Sequence, residues 1–280
     1  MKTSQTIIPT QHLFSILDNL LIDVLQSLSP TDWHLPTVAP LWQVKDIAVH
    51  LLDGNLRTLS MLRDAYFGET PPPINSYQDL VHFLNQLNAE WVKAFRRVSP
   101  KVLVELLQIT GVQVSSHFAT LPPYEKALFS VAWAGEDESY NWFHVAREYT
   151  EKWHHQQQIR LAVHQTAPLY SKNLYEPYLA TSMRALPHHY RDIKVQEGNS
   201  LVIKVLGEGG GTWAIEQQQN QWILVEHAVA NPTSTVEIAG EVAWRIFTKG
   251  ISRKEAQNHV KISGEATLGE KIFDMLAVMA

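Results

Sequence analysis

The hydrophobic period of this chain changes once, just after His164. Before that point apolar residues recur at intervals of three and four, which lines them up on one face of a helix. Beyond it, after a short mixed helical stretch, they come in short alternating or β-branched runs separated by turn residues. Such a chain predicts a helical bundle followed by a small α+β domain, with Gln165 to Pro168 as the connection. Its 280 residues suffice for two cores, and the expected domains are 1–168 and 169–280.

In the first half, QHLFSILDNLLIDVLQSL sets Leu13, Ile16, Leu17, Leu20, Leu21, Val24, Leu25 and Leu28 on one stripe, and Ser29-Pro30-Thr31-Asp32 ends it. A second helix runs through VKDIAVHLLDGNLRTLSMLRDAYFG until Gly68 and the prolines at 71 to 73 stop it. Ser76 is expected to cap a third, in which Leu80, Phe83, Leu84, Leu87, Trp91 and Phe95 repeat. Pro100 opens what reads as a short helix, and from Thr110 to Gly135 the weak pattern suggests a long connection. EDESYNWFHVAREYTEKWHHQQQIRLAVH reads as the last long helix, its opening acids suited to the positive end of the dipole. The prediction is a four-helix bundle.

In the second half SLVIKVLG, TWAIEQ, QWILVEHAV and STVEIAG read as strands, joined by hairpin turns at GEGGG, QQN and NPT. EVAWRIF, SRKEAQN and ATLGEKIFDMLAVM read as helical pieces. GEGGGTW lacks the Gly-Lys-Ser/Thr ending of a phosphate loop and stands between strands, so it reads as a hairpin. His188-His189 has no partner at ligand spacing, and the neighbouring Tyr190 suggests an interdomain surface. Trp213, Trp222 and Trp244 read as core aromatics or as the lining of an apolar pocket.

Acidic residues outnumber basic ones by 28 to 23, and a formal charge of −5 offers no basic field for nucleic acid. No apolar run is long enough for a membrane span, and MKTSQTIIPTQH lacks the plan of a signal peptide, so a cytoplasmic protein is expected. The chain has no cysteine. Disulfides, thiolate metal sites and a cysteine nucleophile are thereby excluded, and any thiol chemistry needs an external thiol.

The stretch REYTEKWHHQQQIR places Glu151 and His155 four residues apart, one above the other on a helix. A carboxylate and an imidazole so placed can share a metal ion or simply hydrogen-bond in water. His154 stands three residues after Glu151 and competes for the same role, and Arg147 is at salt-bridge spacing from Glu151. A reactive metal site needs a third ligand. His50 offers one, because it occupies a leucine-like position on the stripe of Ile47, Leu51 and Gly54.

With its tryptophan eight residues before His50, LWQVKDIAVHLLDGN resembles the second-helix motif of DinB-like metalloproteins, in particular mycothiol-dependent maleylpyruvate isomerases. REYTEKWHH resembles their fourth-helix motif. The resemblance implies a His50, Glu151 and His155 site, which favours His155 over His154. STVEIAGEVAWRIF and NHVKISGEATLGEKIFDML are similar to the closing strand-helix-strand-helix portion of a sterol carrier-like domain, which the family carries C-terminally.

Two imidazoles and one carboxylate suit zinc, with nickel, iron or manganese as alternatives. The resemblance implies a low-molecular-weight thiol, such as mycothiol, bacillithiol or glutathione, that adds to a small electrophilic substrate. Addition to a cis double bond, rotation and elimination give isomerisation; stopping at the adduct gives S-transfer. Asp53 and Arg147 are expected to orient the ligands from behind. Arg245 is the expected anchor for a dicarboxylate, with Lys249 and Arg253 close by, although Lys249-Gly250 replaces the family's Gly-Arg ending. The alternatives are a non-catalytic metal- and lipid-binding protein, or a metal-dependent hydrolase.

Overall fold

The computed structural model describes residues 6–278. Five long helices open the chain: α1 (Phe14–Gln26), α2 (Val44–Arg57), α3 (Tyr77–Phe95), α4 (Pro100–Thr120) and α5 (Asn141–Ala162). Of these α1, α2, α4 and α5 pack as the bundle, while α3 lies on the outside of α2. Trp91 of α3 donates its indole N–H to the Val49 carbonyl of α2 at 3.0 Å.

Local chemistry explains several boundaries. The Asp46 carboxylate accepts the Gln43 N–H at 3.0 Å, which satisfies a free donor where α2 begins. Ser76 caps α3 by accepting the Asp79 N–H at 3.1 Å, as its sequence position predicts. Beyond α2, Thr58–Arg63 continue the helix as a wider π turn.

The sequence expectation fails at α4, which is not a short helix but spans 21 residues, Pro100 to Thr120. Its apolar residues face both ways: Leu103, Leu107, Val114 and Phe118 are buried, whereas Val102, Ile109 and Val112 are exposed. Outward-facing apolar residues of this kind blur the stripe by which a helix is read from sequence.

The second half begins with α6 (Lys172–Ser182) and α7 (Leu186–Tyr190). It continues through β1 (Ser200–Val205), β2 (Gly211–Gln218), β3 (Gln221–Val225) and β4 (Ser234–Ile238). It closes with α8 (Gly240–Phe247), α9 (Arg253–Ala256), β5 (Val260–Gly264) and α10 (Ala266–Glu270). The five-stranded sheet has the order β3-β2-β1-β4-β5.

The turns after β1 and β2 are hairpins as expected, and Gln219 and Asn220 adopt the left-handed conformation that a tight two-residue hairpin requires. The NPT segment is different. Strand β4 pairs in parallel with β1, so residues 226–233 cross from one edge of the sheet to the far side of β1. The last helical stretch is also shorter than read: α10 gives way to a 3-10 turn at Lys271–Asp274, and Met279 lies outside the described residues.

One hydrophobic cluster runs from Phe14 and Tyr149 of the bundle to Ile203, Ile238 and Trp244 beside the sheet. At its centre Trp153 of α5 stacks on Tyr178 of α6 with ring centres 4.2 Å apart, and meets Trp244 edge-on at 6.1 Å. Tyr149 donates its hydroxyl to the Leu174 carbonyl at 2.7 Å, which fastens α6 to α5. Tyr190, expected at a surface, is fully buried and packs edge-on against Trp222. Trp222 and Trp244 are core residues, and each indole N–H finds an acceptor, Ile193 O and Tyr170 Oη respectively.

Candidate metal centre

Where α2 and α5 face each other, a small cavity of about 40 Å³ opens between them. It is lined by His50, Gly54 and Asn55 from α2 and by Glu148, Glu151 and His155 from α5, with Phe14 and Phe118 closing the apolar side. The spacing explains the convergence. Residues 148, 151 and 155 fall at i, i+3 and i+7 on one face of α5, and residues 50, 54 and 58 repeat every fourth position along α2 and into the π turn that continues it.

The rings of His50 and His155 stand 4.6 Å apart and nearly perpendicular. Trp42 covers both, with its ring 4.7 Å from that of His50 and 6.0 Å from that of His155. Glu151 Oε2 is 3.6 Å from His155 Nε2 and 4.0 Å from His154 Nε2. Three polar atoms of the residues lining this cavity are buried without a hydrogen-bond partner: Glu151 Oε1, His50 Nδ1 and Asn55 Oδ1. Each such orphan costs about 1–3 kcal/mol unless something pairs with it.

Protonation suits ligation. Burial holds His155 down to about 3 and His154 to about 4, and burial together with the neighbouring His155 holds His50 well below its ordinary value. All three imidazoles are therefore neutral at pH 7 and offer lone pairs. Burial raises Glu151 above the usual carboxylate range, partly opposed by His155 and Arg147. For Glu148 burial pushes upward too, but Arg147 and its other cationic neighbours outweigh it and keep this carboxyl ionised.

Two geometric criteria choose different histidines. Among the described residues, Glu151, His154 and His155 present ligand atoms within 4.8 Å of one another, and His50 stands outside that trio. The cavity, in contrast, is lined by His50, Glu151 and His155 but not by His154. The two sets share Glu151 and His155 and differ in the third residue, His154 in the one and His50 in the other.

The family model of the mycothiol maleylpyruvate isomerase N-terminal domain matches residues 15–160, just over half of the chain. The chain belongs to that family. No curated protein matches it. A solved histidine-to-alanine mutant of the mycothiol-dependent maleylpyruvate isomerase aligns with a TM-score of 0.54 and 12% identity, over 93% of this chain and 97% of that one. A second structure of the mycothiol-dependent maleylpyruvate isomerase gives a TM-score of 0.50 with the same identity and coverage. At this identity the likeness shows the fold, a helical N-terminal region followed by a small sheet domain.

The remaining expected site residues stand apart from the cavity. Asp53 is buried and paired with Arg57 at 3.0 Å, outside the cavity lining. Arg147 does not bridge to Glu151; its guanidinium binds Glu148 and lies 3.3 Å from His144 Nδ1, since Glu151 is turned toward the histidines. Arg245 holds the turn after α8, donating to the Gly250 carbonyl at 3.1 Å and pairing with Glu255 at 3.3 Å.

Sequence reasoning missed Glu148, Arg57 and Gln158. Glu148 was within reach, because it shares the face of Glu151 and His155. Arg57 acts on His50 from two turns further along α2, and on both glutamates across the helix interface, a relation that spacing alone does not show. Gln158 accepts from His155 Nδ1 at 2.9 Å.

Proposed function

We propose that this chain is a metal-dependent enzyme that uses a low-molecular-weight thiol to isomerise, or transfer sulfur onto, a small electrophilic substrate. The carrying observation is the shared cavity of His50, Glu151 and His155, with Glu151 Oε1 and His50 Nδ1 buried and unpaired beside neutral imidazoles. A divalent cation would satisfy both orphans, and two nitrogens with one carboxylate oxygen fit zinc. When bound, such an ion lowers the pKa of a thiol or water that reaches it.

The chain's own residues supply the rest. Trp42, Phe14 and Phe118 border the site with apolar surface, which strengthens electrostatic interactions inside it. Glu148, anchored by Arg147, places a second carboxylate in the same cavity and leaves less net positive charge there than three ligands alone would. The thiol is mycothiol, bacillithiol or glutathione, and the likeness to the mycothiol-dependent maleylpyruvate isomerase favours mycothiol. Residues 1–168 are proposed as the metal domain and 169–280 as the second domain.

Arg245 is the proposed anchor for a substrate carboxylate. In its support, a Cβ built at Gly250 would stand 3.5 Å from Val38, so the turn held by Arg245 packs against the loop that carries Trp42.

The test is direct. Purified protein is assayed for metal, loaded with cobalt and titrated with each thiol. A thiolate-to-cobalt charge-transfer band is expected; metal-replete protein that gives no band with any thiol would overturn the thiol reading.

A further inference from the structure

We propose that Gln158 is a positioning residue that fixes the proton of His155 on Nδ1 and thereby aims its Nε2 lone pair at the cavity; the proposal rests on the metal-binding reading above. His155 Nδ1 lies 2.9 Å from Gln158 Oε1, one turn along α5, and both side chains are buried, at 8% and 5% exposure. An amide oxygen only accepts, so the ring nitrogen facing it must donate. A neutral imidazole carries a single N–H. Nε2 is thus left with its lone pair, 3.6 Å from Glu151 Oε2 and on the cavity side of the ring.

The three consecutive glutamines make the point by contrast. Gln156 donates its amide to the Leu17 carbonyl at 3.1 Å and Gln157 to the Thr166 carbonyl at 3.2 Å, so these two tie α5 to its neighbours. Gln158 is the member of the run that turns its oxygen to a histidine.

The neighbouring ring is held in another way. His154 Nδ1 lies 2.8 Å from the Thr150 carbonyl, a main-chain acceptor that cannot turn over. The Gln158 amide can. Rotated by half a turn it would present N–H to Nδ1, shift the ring proton to Nε2 and remove the lone pair a cation needs. The orientation of this amide, oxygen toward Nδ1, is therefore what leaves the Nε2 lone pair of His155 free to bind. Outer partners of ligating histidines act in this manner, and losing one typically costs 10–100-fold in metal affinity.

Two substitutions separate the possibilities: Gln158→Leu removes the acceptor at similar volume, and Gln158→Glu leaves an acceptor that cannot donate. Nitrogen-resolved NMR of the metal-free proteins at neutral pH reads the tautomer. Wild type and Gln158→Glu are expected to carry the His155 proton on Nδ1, and Gln158→Leu to shift it toward Nε2. Zinc titration against a chromophoric chelator should show roughly 10–100-fold weaker binding by Gln158→Leu and undiminished binding by Gln158→Glu.

The proposal is overturned if wild-type His155 carries its proton on Nε2, or if Gln158→Leu keeps both tautomer and affinity. Should Gln158→Leu fail to fold by circular dichroism, the wild-type and Gln158→Glu tautomers still decide. A wild type that binds no zinc, cobalt or nickel while showing the expected tautomer would refute the metal reading and leave the Gln158 assignment standing.

Discussion

His50 and His155 stand more than a hundred positions apart in the sequence, yet their rings meet edge to face at 4.6 Å under the indole of Trp42. The proposed metal centre predicts that His50→Ala weakens metal binding while the helices persist. Affinity is expected to fall by more than the roughly 10–100-fold typical of losing an outer partner. Metal content by mass spectrometry, with circular dichroism as the folding control, checks this; unchanged stoichiometry and affinity would dissolve the proposed centre.

Trp153 should be the costliest single truncation in the chain. It is fully buried, stacks on Tyr175 and Tyr178, meets Trp244 and donates to the Leu169 carbonyl. Trp153→Ala is expected to destabilise by about 3–5 kcal/mol, measured by urea unfolding. A cost below about 1 kcal/mol would mean that the joint between bundle and sheet is not packed as described.

Gly54→Ala should do the opposite. Gly54 lies inside α2 and lines the cavity, and a methyl there meets no atom within 4 Å. Replacing glycine within a helix contributes about 0.5–1 kcal/mol, so the melting temperature should rise by a few degrees. The same methyl enters the open space beside His50, and small-thiol affinity of the cobalt-loaded protein should fall. A lowered melting temperature would show that the cavity is filled.

Acid should unfold the metal-free protein through its buried histidines. Burial depresses His144 to about 4 in the fold, whereas an unfolded histidine titrates near 6.5. Below about 6.5 the unfolded chain therefore binds protons that the native state refuses. Stability from this residue is full above the unfolded value, declines as pH falls, and is lost by the folded value. The span corresponds to at most about 3 kcal/mol. Urea midpoints at pH 7 and pH 4 should lie closer together in His144→Leu than in wild type; equal separation would refute the assignment.

The arrangement of this protein was partly legible before any coordinates. Stripes of period three to four placed α1, α2 and α3, and turn chemistry placed the β1–β2 and β2–β3 hairpins, because both signals are local; α5 was legible as a helix, but it begins at Asn141, after the acids expected in its first turn. Helix α4 escaped because Val102, Ile109 and Val112 point outward and erase the stripe. The NPT segment misled because a turn sequence does not say which strand it leads to, and pairing β4 with β1 is settled across the sheet.

By itself the sequence determined which side chains share a face: His50 with Gly54 on one helix, and Glu148, Glu151 and His155 on another, since helical geometry follows from spacing alone. Tertiary structure decided what each face meets. Only the packing of α2 against α5 brings His50 to His155, and only the cavity between them separates His155 from His154. Rotamers decided the rest, turning Arg147 to Glu148 and the Gln158 oxygen to His155, because a side chain's partner depends on atoms that no periodicity records.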